Sequence, residues 1–180
     1  MTRLAHDWFA ADLPDNVTIS AGSWLYSSFA FLHCGSEMPI GVSIGRNSGV
    51  YTGTFFDLGP EGQVEIGDYC TIVGAIFSTN TRVSIGDHCF VSHEVVISDT
   101  PWGTPASSPD ATPDETNDGG VPIVLKSDSW IGTRAILLAG AVIGVGSIVG
   151  AATVVDFAVP DYAIVAGNPA RIVGRLTSDG

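Results

Sequence analysis

The sequence predicts an all-β fold, a parallel β-helix with a triangular cross-section, from two observations. Branched aliphatic residues recur at every sixth position in the C-terminal third of the chain, and small residues recur two positions before them. A period of six matches neither the alternation of an ordinary strand nor the turn of an α-helix. The first aliphatic series consists of Leu125, Ile131, Leu137, Ile143, Val149 and Val155.

The residues around each aliphatic position indicate the geometry of one coil. Three edges of six residues close a triangle, which cannot bury its own apolar face and must stack on its neighbours. The glycines that follow, Gly132, Gly144 and Gly150, relieve steric strain at the turns. The preceding small residues fit a crowded inward site near a corner, and they are Ser129, Ala135, Ala141, Ser147 and Thr153.

The same grid extends towards the N-terminus, which predicts one domain over residues 1–180. Residues 16–43 fit it less well and predict an irregular first coil. Residues 6–13 predict a short capping helix within an N-terminal cap at residues 1–20, and residues 156–180 predict a C-terminal tail. Cys70 and Cys89 fall in the small inward slot and are expected to be buried. The upstream aliphatic positions are Ile44, Val50 and Phe56, then Ile66 and Ile72, then Ile85, Val91 and Ile97.

Composition excludes several classes of function. The net charge is −12 and the seven basic residues are scattered, so nucleic acid is not an expected partner. No run of 18 apolar residues occurs, and the acidic N-terminal stretch is not a signal peptide, so we expect neither a membrane span nor secretion. Three cysteines without zinc-motif spacing predict reduced thiols in a cytoplasmic protein without a metal.

Three segments carry a resemblance to a known family. Residues 127–132, 140–144 and the closing Val-Ala-Gly-Asn-Pro-Ala-Arg-Ile-Val at 165–173 resemble the hexapeptide-repeat sugar O-acetyltransferases and xenobiotic acetyltransferases. The resemblance covers about residues 40–176. It implies a left-handed parallel β-helix and a homotrimer, with acetyl-CoA in a groove between subunits and a carbohydrate-like small-molecule acceptor. The charged fraction of 14 % gives weak support for buried subunit contacts.

Residues 98–122 break the grid, carry five of the ten prolines and predict a long extruded loop. In the family this loop faces the substrate and begins with a histidine that acts as the base, but this chain has no histidine there. His93 is the best remaining candidate for a base. Asp99 is expected either to orient His93 or an acceptor hydroxyl, or to stabilise a turn at the loop start. Trp102, and Phe55 further upstream, are candidates to line the acceptor pocket.

The resemblance also implies positions for CoA. Thr133 and Ala151 fall where small residues let the pantetheine approach the backbone, and Arg171 and Arg175 fall in the segment that meets the phosphates of CoA. Arginine suits phosphate because its fork donates two hydrogen bonds. Many relatives have a Thr-Lys pair directly after the last grid valine, whereas this chain has Asp156 and Phe157 there.

Two alternatives remain open from the sequence. The same fold hosts zinc-dependent γ-class carbonic anhydrases, and His88 and His93 have their His-x4-His spacing, although both lie one position out of register. The second alternative is a trimer that has lost acyl transfer and acts as a binding or scaffold protein or as an enzyme that does not use CoA. His88 is expected to be a solvated turn residue.

Overall fold

The protein is a left-handed β-helix with three parallel sheets, seen in a computed structural model that describes residues 3–99 and 120–177. Each full coil contributes one strand to sheet A, one to sheet B and one to sheet C, and equivalent strands pair in register with the coils above and below. Sheet A contains β1 (Val17–Ile19), β3 (Val42–Ile44), β6 (Gln63–Ile66), β9 (Arg82–Ile85), β12 (Ile123–Leu125), β15 (Val142–Ile143) and β18 (Ala158–Val159).

Sheets B and C complete the triangle. The first coil has a 3-10 helix, Ser28–Phe31, where the later coils have a strand of sheet C. Sheet B contains β2 (Trp24–Leu25), β4 (Gly49–Val50), β7 (Thr71–Ile72), β10 (Phe90–Val91), β13 (Trp130–Ile131), β16 (Ile148–Val149), β19 (Ala163–Ala166) and β20 (Arg171–Arg175). Sheet C contains β5 (Phe55–Leu58), β8 (Ile76–Thr79), β11 (Val96–Ser98), β14 (Ile136–Leu138) and β17 (Val154–Val155).

The core confirms the six-residue grid. Every predicted aliphatic position from Ile44 to Val155 is buried, with at most 4 % of the residue exposed. Phe56 stacks between Phe31 and Phe77 with ring centroids 4.9 and 5.0 Å apart, which gives the N-terminal half of the core an aromatic ladder. The small slots are buried as predicted, and the thiols of Cys70 and Cys89 donate to the carbonyl oxygens of Gly86 and Lys126 in the next coil.

The glycine after each aliphatic position acts through close approach rather than through a left-handed backbone. A Cβ on Gly67 would lie 2.7 Å from the carbonyl carbon of Gly86 in the next coil, and a Cβ on Gly132 would lie 2.7 Å from the amide nitrogen of Ala151. The left-handed residue of each turn comes two positions later, as at His88 with φ of 56°. His88 is therefore the solvated turn residue that was predicted, with 59 % of its side chain exposed.

The two ends differ from their predicted boundaries. Residues 6–13 form no helix but an irregular arm with a positive φ at Ala10, and the Asp7 carboxylate holds this arm by accepting hydrogen bonds from Ser27 and Ser28 of the first coil. β1 already belongs to sheet A, so the cap ends before residue 20. At the other end, β18 and β19 continue sheets A and B, and only β20 turns back as an antiparallel strand.

The predicted loop is bounded by the strands on either side of it. β11 ends at Ser98 and β12 begins at Ile123, while residues 100–119, including Trp102, lie outside the described residues. β12 pairs in register with β9 across this interval, with Leu125 opposite Ile85. In the part of the chain that the structure describes, no helix is long and apolar enough to cross a bilayer.

Candidate active site

The turns that join sheet B to sheet C stack into one edge of the prism, which we call the BC corner. Its outermost residues are Thr52, His93, Thr133 and Ala151 in the second, fourth, fifth and sixth coils, and the third coil, whose turn is one residue shorter, has Gly74 in this row. The amide of Arg134 donates to the carbonyl oxygen of His93 at 3.0 Å, and the amide of Ala152 donates to that of Thr133 at 2.9 Å. The fold thus brings three predicted site residues into adjacent coils, although 40 and 18 residues separate them in the chain.

The BC corner carries a row of unpaired backbone donors. The amides of Ser92, Gly132 and Gly150 donate to the next coil, and the amides two residues later donate to the previous coil. The amides between them, those of His93, Thr133 and Ala151, donate to no acceptor among residues 3–99 and 120–177. Because all three residues are exposed, these N–H groups are available to a ligand. Adjacent coils place them about 4.8 Å apart.

An ion pair flanks His93. The Arg134 Nε donates to a Glu94 carboxylate oxygen in the adjacent coil at 2.6 Å. The hydrogen bond from Arg134 lowers the pKa of Glu94, and the same bond raises the pKa of Arg134. Both side chains are more than 60 % exposed, so the pair contributes little to stability. Its consequence is that Arg134 is already neutralised and offers no free charge beside His93.

Asp99 lies at a different corner. Its buried carboxylate accepts hydrogen bonds from the hydroxyls of Thr79 and Thr81 and, at 3.2 Å, from the amide of Asn80. These groups form the turn that leads from sheet C to sheet A. β11 lies between His93 and Asp99, so the two residues stand at opposite ends of one side of the triangular coil, about 15 to 20 Å apart. The structure therefore does not bring the two together, and it places Asp99 as a turn-stabilising residue.

Arg171 and Arg175 are separated by a β-bulge. Arg171 pairs with Ala166 beside the BC corner, whereas Arg175 pairs with Ala163 at the other end of β19, about 10 Å away. Paired residues in an antiparallel ladder share a face, and the bulge between them puts the two arginines on opposite faces. Only Arg171 continues the line of Thr133 and Ala151.

Both arginines are free of ion pairs within the described residues. The other five basic side chains of the protein each contact a carboxylate within 3.3 Å. Arg171 and Arg175 are exposed and have no carboxylate partner there. In a chain with a net charge of −12, the C-terminal end therefore holds the two available cations.

A cavity of about 240 Å³ opens on the BC corner at the second coil. The first coil and Trp8 of the N-terminal arm form one wall, and the turn that contains Thr52 forms the other. Phe55, a candidate from the sequence, lies in its lining, as do Tyr26 and Phe29. Phe29 contacts the rings of Trp8 and Phe55 with centroids 5.4 and 5.1 Å away. The cavity is therefore lined mainly by aromatic rings.

The repeat itself predicts the BC corner, although no single motif does. His93, Thr133 and Ala151 each lie two residues after an aliphatic grid position, so they are equivalent in the repeat and must stack. The aromatic cavity had no such signal, because the non-repeating arm builds one of its walls. His88 lies at the corner between sheets A and B, away from His93. No group of three or more histidine, cysteine or acidic side chains suited to a metal occurs in the described part of the chain.

Comparison with known proteins identifies relatives of one kind. No family model matches the chain. Over 58 residues it is 36 % identical to a putative acetyltransferase of Staphylococcus aureus, which covers 32 % of this chain and 29 % of the relative. It is 27 % identical to the galactoside O-acetyltransferase of Escherichia coli over 135 residues, or 75 % of this chain and 64 % of the relative. The chain thus spans less than a third of the first of these relatives and under two thirds of the second.

Solved structures agree with the fold. A hexapeptide-repeat-containing acetyltransferase from Vibrio cholerae, complexed with acetyl-coenzyme A, is 27 % identical, has a TM-score of 0.59 and covers 75 % of this chain and 71 % of its own. An N-acyltransferase from Bacillus cereus, in complex with dTDP and coenzyme A, is 21 % identical with a TM-score of 0.63, covering 90 % and 84 % of the two chains. At that identity the second likeness concerns the fold alone.

Proposed function

Because the homologues of this chain are acetyltransferases of the hexapeptide-repeat family, we propose that it transfers an acetyl group from acetyl-CoA to a hydroxyl or amine of a carbohydrate-like small molecule. The observation that carries the proposal is the BC corner. Along this corner lie His93 as the candidate base, the unpaired amides of Thr133 and Ala151, and then the free Arg171.

The residues of the corner fit the chemical groups of CoA. The pantetheine arm carries amide carbonyls, which need donors, and the N–H groups of Thr133 and Ala151 supply donors at a spacing of about 4.8 Å. Both residues are small, so a ligand can lie close to the backbone. Arg171 stands beyond Ala151 and suits a phosphate. In this arrangement the phosphates lie at the C-terminal end of the corner and the thioester lies near His93.

His93 is assigned the role of general base. Acetyl-CoA supplies an activated carbonyl with a thiol as leaving group. The acceptor oxygen or nitrogen must lose a proton as it attacks, and an exposed imidazole at the end of the donor row accepts that proton on a ring nitrogen. Asp99 takes no part in this step, because its carboxylate stabilises the turn from sheet C to sheet A at Thr79 and Thr81. Trp102 keeps its proposed place at the acceptor.

We propose that the protein is a homotrimer that uses the outer face of sheet B. Phe90 and Trp130 are adjacent on that face, with 39 % and 50 % of their surfaces exposed and ring centroids 6.3 Å apart. Large apolar residues clustered on one face favour subunit contact. Because sheet B borders the BC corner, a neighbouring subunit there supplies the second wall of the CoA groove. We place the enzyme in the cytoplasm.

The decisive experiment compares two histidines. The purified protein is titrated with acetyl-CoA in a calorimeter, and turnover is followed as release of free CoA thiol with a panel of glycosides and amino sugars. His93→Asn removes the base but keeps a polar side chain, and we expect a loss of turnover of about 100-fold or more with unchanged acetyl-CoA affinity. The matched control is His88→Asn, at the corner between sheets A and B, which leaves both quantities unchanged.

Two results would contradict the proposal. If millimolar acetyl-CoA does not bind, the chain is not a CoA-dependent transferase, and the binding or scaffold interpretation replaces it. If acetyl-CoA binds and turnover survives in His93→Asn, the transferase stands and the base has been assigned wrongly.

A further inference from the structure

We propose that the aromatic cavity at the second coil anchors the acyl acceptor, and that the acceptor is uncharged and bears a flat apolar group, as an aryl glycoside does. This inference rests on the proposed acyl transfer and specifies its second substrate. It follows from the lining of the cavity, its size, its distance from His93 and the distribution of charge around it.

The lining recognises flat apolar groups. Trp8, Tyr26, Phe29 and Phe55 present rings, while Thr52 adds a hydroxyl group. Among the described residues, no charged side chain lines the cavity. Rings stack with other rings and with the apolar face of a sugar, and the hydroxyl orients a polar substituent.

The size of the cavity limits what it holds. Sites for drug-sized ligands measure about 300–1,000 Å³. This cavity, at about 240 Å³, lies below that range. It therefore accommodates one ring with its substituents and not a whole extended ligand, so the remainder of the acceptor must continue out of the cavity.

The BC corner offers the path for that remainder. Between the cavity and His93 the turns of the second and third coils carry glycine at their left-handed positions, Gly53 and Gly74, with φ of 79° and 63°. A Cβ built on Gly74 would lie 3.9 Å from the Cα of His93 and 3.4 Å from the carbonyl oxygen of Thr52. Bare backbone thus connects the cavity to His93 over two coil spacings, about 10 Å. An aryl group with one attached sugar spans that length and brings a hydroxyl to His93.

The charges near the cavity argue against a sugar nucleotide. The carboxylate of Asp7 lies directly behind the lining and accepts the Ser27 hydroxyl at 2.6 Å. Burial raises the pKa of Asp7, but hydrogen bonds from the Ser27 and Ser28 hydroxyls and from the amides of Ser28 and Phe9 outweigh this and lower it. Asp7 is therefore ionised near neutral pH, and the one arginine of the arm, Arg3, is paired with Asp12. A diphosphate would meet a negative charge and no free cation.

The test compares three ligands by calorimetry on the full chain. They are 4-nitrophenyl β-D-galactoside, methyl β-D-galactoside and dTDP-glucose. We expect the aryl glycoside to bind about tenfold or more tightly than the methyl glycoside, since only it fills the cavity, and dTDP-glucose to bind most weakly. Thr52→Trp, which fills the mouth of the cavity, should abolish the preference for the aryl glycoside. Tyr162→Ala, an exposed tyrosine of the corner between sheets A and B, should preserve it.

Each outcome decides the inference. A tenfold aryl preference that is lost in Thr52→Trp and kept in Tyr162→Ala supports it. Equal binding of the two galactosides, tighter binding of dTDP-glucose, or no binding of the aryl glycoside at millimolar concentration overturns it. Acetyl-CoA is titrated into the same samples, so that failure of the acceptor site with intact acetyl-CoA binding is distinguished from failure of the proposed acyl transfer.

Discussion

The two unpaired arginines provide the sharpest prediction, because the fold separates residues that the sequence presents as equivalent. Both are exposed arginines on β20 and both are free of carboxylate partners in the described part of the chain. Arg171 lies beside the BC corner, in line with the unpaired amides, and Arg175 lies about 10 Å away on the opposite face. Arg171→Ala should therefore weaken acetyl-CoA binding, and Arg175→Ala should not.

The magnitude follows from the contact that is removed. A hydrogen bond to a charged group contributes about 1.5–3 kcal/mol, which corresponds to a loss of affinity of roughly 10- to 150-fold. Arg171 is exposed, so screening by salt places the effect at the lower end of that range in about 0.15 M salt. For Arg175→Ala we expect a change of less than about threefold, which long-range Coulomb attraction accounts for.

Calorimetric titration with acetyl-CoA at two salt concentrations is the appropriate assay. The affinity difference between wild type and Arg171→Ala should shrink at the higher salt concentration, because the lost interaction is ionic. An equal loss in the two variants would refute the reasoning from the β-bulge. A larger loss in Arg175→Ala would place the phosphates on the opposite face of β20.

Three further predictions concern the scaffold. Gly67→Ala should lower the unfolding free energy by about 1–3 kcal/mol in chemical denaturation, because its Cβ would lie 2.7 Å from the backbone of the next coil. The control is Gly174→Ala, whose Cβ has its nearest contact at 3.6 Å and which should change the unfolding free energy by less than about 0.5 kcal/mol. Because the pKa of Asp7 is lowered from 3.8 in the folded protein, its ionised carboxylate stabilises the fold at pH values above about 4, and this contribution is lost as the pH falls below that value. The difference in unfolding free energy between wild type and Asp7→Asn should therefore narrow below pH 4. A difference that stays constant with pH would contradict this. Trp130→Lys on the outer face of sheet B should convert trimers to monomers, as measured by light scattering, while Leu138→Glu on the outer face of sheet C should leave the trimers intact. If both variants dissociate, or neither does, sheet B is not the subunit interface.

The repeating part of the fold was predictable because one rule governs every coil. An aliphatic residue at every sixth position, with a small residue two places before it, determines which side chains are buried, as Ile131 and Ser129 show. The function of the glycines was predicted less well. Their position was correct, but Gly67 and Gly132 allow neighbouring coils to approach, and the left-handed residue stands two positions later.

The remaining features depend on contacts that do not repeat. The sequence of residues 6–13 predicts a helix, yet hydrogen bonds from Ser27 and Ser28 to Asp7 hold the segment as an irregular arm on the first coil. The aromatic cavity includes Trp8 of that arm, which packs on Phe29 of the first coil. The sequence leaves two roles open for Asp99. Its three hydrogen-bond donors belong to a turn 18 to 20 residues earlier in the chain, and local sequence does not reveal that contact.

The register of β12 against β9 has a consequence for how such a chain can change. Leu125 stands opposite Ile85 although forty residues separate them, so the coil after the insertion resumes as though the insertion were absent. Residues can be added or removed between β11 and β12 without shifting any rung of the ladder above or below. A change of length there therefore leaves the row of amides on the BC corner in place.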